Sequence, residues 1–97
     1  MLVAGNWKMF KGPAEAGSLC RALREVELPG DVDVVVCPPF VSLHAISDRM
    51  RGSEIAVGAQ NMYLEPKGAF TGEVSASMLA GLVSYVILGH SERRQFF

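Results

Sequence analysis

Polar side chains that could perform acid–base and electrostatic chemistry follow three apolar segments, at the points where these segments end. They are Asn6 and Lys8, then Gln60 and Asn61, then the run His90, Ser91 and Glu92. Histidine and glutamate can move protons, lysine can neutralise an anion, and amides can donate and accept hydrogen bonds. Strand ends matter here because parallel α/β folds form their active sites outside the carboxyl ends of the strands.

Asn6 and Lys8 are two residues apart in a segment with strand-like alternation, so both side chains are predicted to point to one face. A lysine among apolar neighbours is costly unless an anion or a carboxylate meets it. The alternative is that Lys8 already lies past the sheet, in water. Trp7 points to the opposite face, where we expect it to pack against the helices.

His90 follows Gly89 at the end of the last apolar segment, where the sequence SERRQFF favours a helical turn. The positive end of a helix dipole favours a neutral imidazole, which could donate an N–H to a substrate oxygen. The alternative is a partly buried histidine bonded to backbone. Glu92 could be a general base, a partner of Lys8, or a carboxylate favoured at the start of a helix.

The elements that must position these residues alternate between strands and helices. Apolar periodicity and chain breakers predict strands over residues 2–9, 32–37, 55–60 and 85–89, and helices over 13–28, 42–51 and 74–82. Ser75 is a candidate N-cap of the last helix. The order predicts an α/β fold with a parallel sheet and right-handed crossovers. An open doubly wound sheet and part of an eight-stranded barrel both fit, and half a barrel would leave the first and fourth strands as edges.

The composition is that of an ordinary globular chain, with 97 residues, 49% apolar, 20% charged and a net charge of −1. No basic stripe indicates a nucleic-acid partner, and no apolar run is long enough to span a bilayer as a helix. Cys20 and Cys37 are interpreted as small buried residues of a reducing compartment, and no cysteine–histidine cluster indicates a metal. Nucleotide-binding and serine-hydrolase motifs are missing. We therefore expect a cytoplasmic protein with no metal, nucleic-acid or membrane partner.

Three segments resemble the triosephosphate isomerase family. They are AGNWKMF at 4–10, GAQNMYLEPKGAFTGEVSASML at 58–79 and VILGHSERR at 86–94, and CPPF at 37–40 fits as well. Their order and separations match the family, although Phe10 replaces a more common polar residue. The resemblance implies a (β/α)8 TIM barrel of about 250 residues. Residues 1–97 would be the N-terminal half of a single barrel domain, with its first four parallel strands and three helices.

The resemblance also implies an activity, the interconversion of dihydroxyacetone phosphate and D-glyceraldehyde 3-phosphate through an enediolate. This is a cofactor-free step of glycolysis and gluconeogenesis. Asn6 matches an asparagine that lines the family's site, and Lys8 matches a lysine that offsets the charge of enediolate and phosphate. His90 matches the histidine that shuttles protons between the two substrate oxygens. Ser91 and Glu92 match supporting residues, with Glu92 expected near Lys8.

The long segment at 61–73 matches a family loop that docks into a twin subunit. The resemblance implies a homodimer in which the segment with Phe70, Thr71 and Glu73 approaches the partner's asparagine and lysine. The aromatic and apolar content of the loop supports this interpretation, because exposed apolar groups on a long loop usually have something to bind.

The family's catalytic base is a glutamate on a later strand, and its lid and glycine-rich phosphate site also come from later segments. None of these matches residues 1–97, so we expect the chain alone to lack meaningful isomerase activity. The alternative is a non-catalytic half-barrel that associates with itself or complements a second chain.

Overall fold

The computed structural model describes residues 1–97, in which four strands and four helices alternate along the chain. The strands are β1 (Leu2–Asn6), β2 (Asp33–Cys37), β3 (Ile55–Ala59) and β4 (Tyr85–Val86). The helices are α1 (Pro13–Arg24), α2 (Phe40–Met50), α3 (Ala76–Leu79) and α4 (Ser91–Phe96). None of these helices has both the length and the apolar character needed to cross a membrane.

The sheet is parallel throughout, and its order β1-β2-β3-β4 follows the chain. The register places Ala4, Val35 and Ala56 side by side and Asn6 opposite Cys37. Because each strand pairs with the next, β1 and β4 form the two edges of a half-barrel. The predicted parallel α/β architecture is confirmed, and the sequential strand order is that of a barrel segment rather than a doubly wound sheet with a switch point.

The hydrophobic core lies between the sheet and helices α1 and α2, where alternate residues of β3 meet the apolar stripes of the helices. Its buried members are Ala16, Cys20, Val36, Leu43, Ile46, Met50, Ile55, Val57, Ala59 and Leu79. Trp7 packs against this cluster, as predicted. Cys20 and Cys37 are free and buried, and burial raises the pKa of both thiols because it disfavours the thiolate.

Gly58 lets strands β2, β3 and β4 lie close to one another on the face of the sheet opposite the helices. A Cβ at this position would lie 2.9 Å from the Cys37 Sγ and 3.2 Å from the Tyr85 Cβ. Only a glycine avoids these contacts, so the packing of β2, β3 and β4 depends on it.

Two predicted helix boundaries are wrong. Helix α1 ends at Arg24 rather than at residue 28. After Arg24 the Glu25 and Val26 N–H groups donate to carbonyls three residues back, in a tighter last turn, and Leu28 packs against the core outside the helix. Helix α3 has only 4 residues instead of the span 74–82, because the chain turns at Gly81 with a φ of 85°. Ser75 caps α3 as predicted, and its Oγ accepts the Met78 N–H at 3.4 Å.

The last strand and the number of helices also differ from the prediction. Strand β4 covers Tyr85–Val86 rather than 85–89, although the Ile87 N–H still donates to the Ala59 carbonyl at 2.9 Å. Gly89 then turns the chain with a φ of 61°. The SERRQF segment forms α4, which makes four helices where three were predicted.

Candidate functional site

The predicted polar residues meet at the carboxyl end of the sheet, around an open cavity of about 230 Å³, called here the site cavity. Six of the polar residues predicted at strand ends line it, namely Asn6, Lys8, Gln60, Asn61, His90 and Glu92. The other lining residues are Met9, Pro39, Phe40 and Arg93. Ser91 and the loop residues Phe70, Thr71 and Glu73 do not line the cavity.

Lys8 lies past the end of β1, so the predicted strand face does not extend to it. The Asn6 Oδ1 accepts the Lys8 backbone N–H at 2.9 Å, and this local bond ends the strand. Lys8 then adopts a φ of 53°. This left-handed conformation costs about 1–2 kcal/mol in a residue that has a Cβ. Asn6 therefore helps to direct Lys8 toward the site cavity.

Lys8 and Glu92 form an ion pair across the site cavity, as the resemblance implied. Their Nζ and Oε1 atoms are 2.7 Å apart, and the side chains are 50% and 48% exposed. The hydrogen bond from Lys8, together with its positive charge, holds the pKa of the Glu92 carboxyl below its usual value. Solvent screens a pair this exposed, so its main effect is to orient the ammonium group rather than to stabilise the fold.

His90 is the N-cap of α4, and its Nδ1 accepts the backbone N–H of Glu92 at 3.1 Å. A backbone N–H can only donate, so Nδ1 carries a lone pair and the proton sits on Nε2. The Glu92 carboxylate is 3.6 Å from Nδ1, too far for a hydrogen bond. The interpretation of His90 as a histidine bonded to backbone is therefore confirmed, and this bond leaves the Nε2–H as a donor.

Gln60 has a contact that the sequence did not reveal. Its Nε2 donates to the Lys8 carbonyl at 2.9 Å and to the Cys37 carbonyl at 2.8 Å. One side chain thus ties the segment after β1 to the end of β2. The only sequence signal was the position of Gln60 after β3, in line with the other polar residues at strand ends.

Arg93 is a second cation that the sequence analysis did not identify. It lines the site cavity, and its guanidinium lies 4.7 Å from the centre of the Phe97 ring. Its place one helical turn after His90 was the available signal. With a neutral His90, the cavity carries the positive charges of Lys8 and Arg93 against one carboxylate, which suits an anionic ligand.

The loop at residues 61–73 is closed at its base and exposed at its tip. The Tyr63 N–H donates to the Val74 carbonyl at 2.7 Å. The Tyr63 and Phe70 rings pack against each other at a tilt of 39°, with centroids 4.6 Å apart, which gives the loop its own small packed centre. Leu64 is 90% exposed, so the loop presents apolar surface to solvent.

The sequence model of the triosephosphate isomerase family matches residues 1–97, which is the whole chain. The chain belongs to this family. It is 55% identical to the triosephosphate isomerase of Carboxydothermus hydrogenoformans over 98% of the chain, and 53% identical to that of Clostridium botulinum strain Loch Maree over 99%. The protein of the same name from Acetivibrio thermocellus is 55% identical over 100% of the chain. These alignments cover only 39% of each relative, so the chain spans about two fifths of their length.

Proposed function

We propose that this chain supplies the electrophilic half of a triosephosphate isomerase site, for a cofactor-free step of glycolysis in the cytoplasm. The observation that carries the proposal is that Asn6, Lys8 and His90 line one cavity at the carboxyl end of the sheet. Interconversion of dihydroxyacetone phosphate and D-glyceraldehyde 3-phosphate passes through an enediolate. Its transition state carries negative charge on oxygen, and fixed positive groups at that place lower its energy.

The chain's own residues have distinct parts in this reaction. When a base removes the proton next to the carbonyl, the C–H electron pair forms the C=C bond and the carbonyl oxygen becomes negative. His90 donates its Nε2–H to that oxygen. It then takes up the hydroxyl proton of the second oxygen as that oxygen becomes the carbonyl, while the base gives its proton to the adjacent carbon. The Lys8 ammonium offsets the charge of enediolate and phosphate. Asn6 holds the Lys8 backbone, Glu92 orients its ammonium, and Ser91 is an adjacent supporting residue.

The base is not among the cavity residues. Glu92 is held by Lys8, and its lowered pKa makes it a weak acceptor of a carbon-bound proton. We propose that the base comes from a part of the barrel that residues 1–97 do not match, and that the 97-residue chain alone shows no turnover. Turnover of glyceraldehyde 3-phosphate by pure chain, made in a host without its own isomerase, would contradict this.

A chimera tests the proposed function. Residues 1–97 replace the aligned part of the Carboxydothermus relative, and isomerase activity is measured with glyceraldehyde 3-phosphate. We expect an active chimera whose kcat/KM falls about 100-fold or more in Lys8→Met, because one preorganised charge is lost. The control is Arg21→Met, which removes an equal charge from an exposed position of α1. An inactive but folded chimera, or equal activities of the two variants, would contradict the proposal.

We further propose a homodimer in which the 61–73 loop, with Phe70, Thr71 and Glu73, docks against a second copy. The Phe70 ring, which is held against Tyr63, and the exposed Leu64 support this contact. Sedimentation of the chimera tests it. Phe70→Asp is expected to produce monomers, whereas Phe97→Asp, at a phenylalanine that is 91% exposed outside the loop, leaves the dimer intact. A dimeric Phe70→Asp variant would contradict the proposal.

A second candidate role is assembly through the sheet edges. Strands β1 and β4 each lack a neighbour on one side, and Leu2 and Val3 of β1 are 49% and 48% exposed. Such edges pair readily with further strands, from the same chain or from another one. Light scattering of the 97-residue chain tests this role, and a stable monomer at high concentration would count against self-association.

A further inference from the structure

The segment between β1 and α1, residues 7–12, holds two left-handed residues that are not glycine. Lys8 has a φ of 53° and Lys11 a φ of 71°. The Phe10 N–H donates to the Trp7 carbonyl at 3.1 Å, so a hydrogen-bonded turn contains Lys8 and leads directly to Lys11. Two unfavourable conformations this close together persist only where the surroundings hold them.

Each of the two left-handed residues has its carbonyl bound by a side chain from a distant element. Gln60 donates to the Lys8 carbonyl, and the Ser42 Oγ donates to the Lys11 carbonyl at 2.7 Å. Ser42 lies in α2, 31 residues away from Lys11 in sequence, and its residue exposure is 0%. Helix α2 is anchored in the core by Ile46, so the Ser42 hydroxyl holds the segment from a rigid position.

We propose that Ser42 is a positioning residue for the proposed isomerase site, and that it acts on Lys8 through the Lys11 carbonyl. Ser42 does not line the site cavity and cannot touch a substrate there. Gln60 does line the cavity, so its substitution would mix positioning with direct contact. Without the Ser42 hydroxyl, the Lys11 carbonyl loses its partner and the left-handed residue can relax. The Trp7–Phe10 turn then moves, and with it the Lys8 ammonium.

The inference rests on the proposed function, and a pair of serines in the same helix tests it. In the chimera described above, Ser42→Ala is compared with Ser47→Ala. The Ser47 Oγ also donates to a loop carbonyl, that of Leu82 at 2.8 Å, away from the site cavity. We expect Ser42→Ala and Ser47→Ala to lower the melting temperature by similar amounts. Only Ser42→Ala should lower kcat/KM, by about tenfold, because small displacements of a positioned group strongly reduce rate. Lower kcat and higher KM are both expected, since Lys8 contacts enediolate and phosphate.

A second substitution distinguishes positioning from a general loss of packing. Glycine adopts a positive φ without steric cost, so Lys11→Gly in the Ser42→Ala background should restore part of the lost kcat/KM. Equal kcat/KM values for Ser42→Ala and Ser47→Ala, or no recovery with Lys11→Gly, would overturn the inference. A chimera that is inactive, or insensitive to Lys8→Met, would instead overturn the proposed function.

Hydrogen exchange tests the inference without any activity. The Lys8 amide is bonded to Asn6 Oδ1 and the Phe10 amide to the Trp7 carbonyl, so both report on the turn. Their exchange should accelerate by about tenfold in Ser42→Ala and stay unchanged in Ser47→Ala, because only the first variant frees this segment. Unchanged protection in Ser42→Ala would overturn the inference whether or not the chimera is active.

Discussion

The helix side of the sheet and the carboxyl rim, meaning Asn6, Lys8, Gln60, His90 and Glu92 at the site cavity, are built in opposite ways. The helix side is apolar and regular, and each member of its core is at most 7% exposed. The rim is polar, its ion pair is about half exposed, and its backbone includes the left-handed Lys8. Burial fixes the first region, whereas hydrogen bonds to backbone groups fix the second.

This contrast separates stability from chemistry. Removing buried methyl groups costs several kcal/mol, whereas exposed ion pairs contribute little to folding. Substitutions of the apolar core residues on the helix side should therefore change the free energy of unfolding while the rim keeps its geometry. Ser42 is the expected exception, because its hydroxyl reaches the segment that carries Lys8. Substitutions on the rim should do the reverse.

Ile46→Ala should give the largest loss of stability. Ile46 is 0% exposed at the centre of the core, so its truncation should reduce the free energy of unfolding by about 2–5 kcal/mol. Urea denaturation of the chain measures the loss. Val41→Ala, at a position of α2 that is 72% exposed, is the control and should change it by about 0.5 kcal/mol or less. Similar losses in the two variants would contradict the contrast.

Gly58→Ala should destabilise by about 1–3 kcal/mol, because the new methyl group would overlap with Cys37 and Tyr85. Gly30→Ala provides the comparison, since a Cβ there has no atom within 4 Å. That variant should be neutral or up to about 1 kcal/mol more stable, through the smaller entropy of its unfolded chain. A neutral effect of Gly58→Ala in thermal denaturation would contradict the close packing of the three strands around this glycine.

Ser75→Ala should cost about 0.5–2 kcal/mol through the loss of the α3 cap. Ser18→Ala is the matched change on the exposed surface of α1, and a change within about 0.5 kcal/mol is expected there. If the denaturation curves of Ser75→Ala and Ser18→Ala coincide, the cap contributes nothing to the free energy of unfolding.

Glu92→Gln should have the smallest effect on stability. This effect can be recognised only by the way in which it depends on pH. The folded-state pKa of Glu92 is lowered, so the contribution from Lys8 is complete above the ordinary carboxyl pKa of about 4.3. It is lost as the pH falls through the lower folded-state value. Between pH 6 and strongly acidic pH, the chain should therefore lose slightly more stability than Glu92→Gln. A steeper acid loss in the variant would show that Glu92 is not held as the ion pair requires.

Apolar periodicity, together with the positions of glycine and proline, predicted the strands and helices, because both signals depend on residues that are close in sequence. The spacing of Leu43, Ile46 and Met50 located α2, and Ser75 marked the start of α3. The alternation of elements predicted a parallel sheet, whereas the choice of a barrel segment, with strand order β1-β2-β3-β4, came from the family resemblance. Helix α1 was placed too long, because the apolar stripe continues to Val26 although the helix has already ended.

The rim was predictable in composition but not in geometry. Strand ends identified Asn6, Lys8 and His90, yet alternation placed Lys8 on a strand that ends two residues earlier. The turn at Lys8 depends on the Asn6 side chain and on Gln60, which is 52 residues away in sequence. Contacts at such separations leave no periodic signal, and the same holds for Ser42. The tautomer of His90 likewise needed the position of one backbone N–H.

The most direct test of the division between rim and core is His90→Ala in the chimera, with kcat and the free energy of unfolding measured on the same sample. We expect kcat to fall by about 10²–10⁴, because the proton donor to the substrate oxygen is lost. The free energy of unfolding should fall by no more than about 1 kcal/mol, the value of one N-cap. A kcat within tenfold of the unmodified chimera would contradict the assignment of His90, and a loss of stability comparable with that of Ile46→Ala would contradict the separation of the two regions.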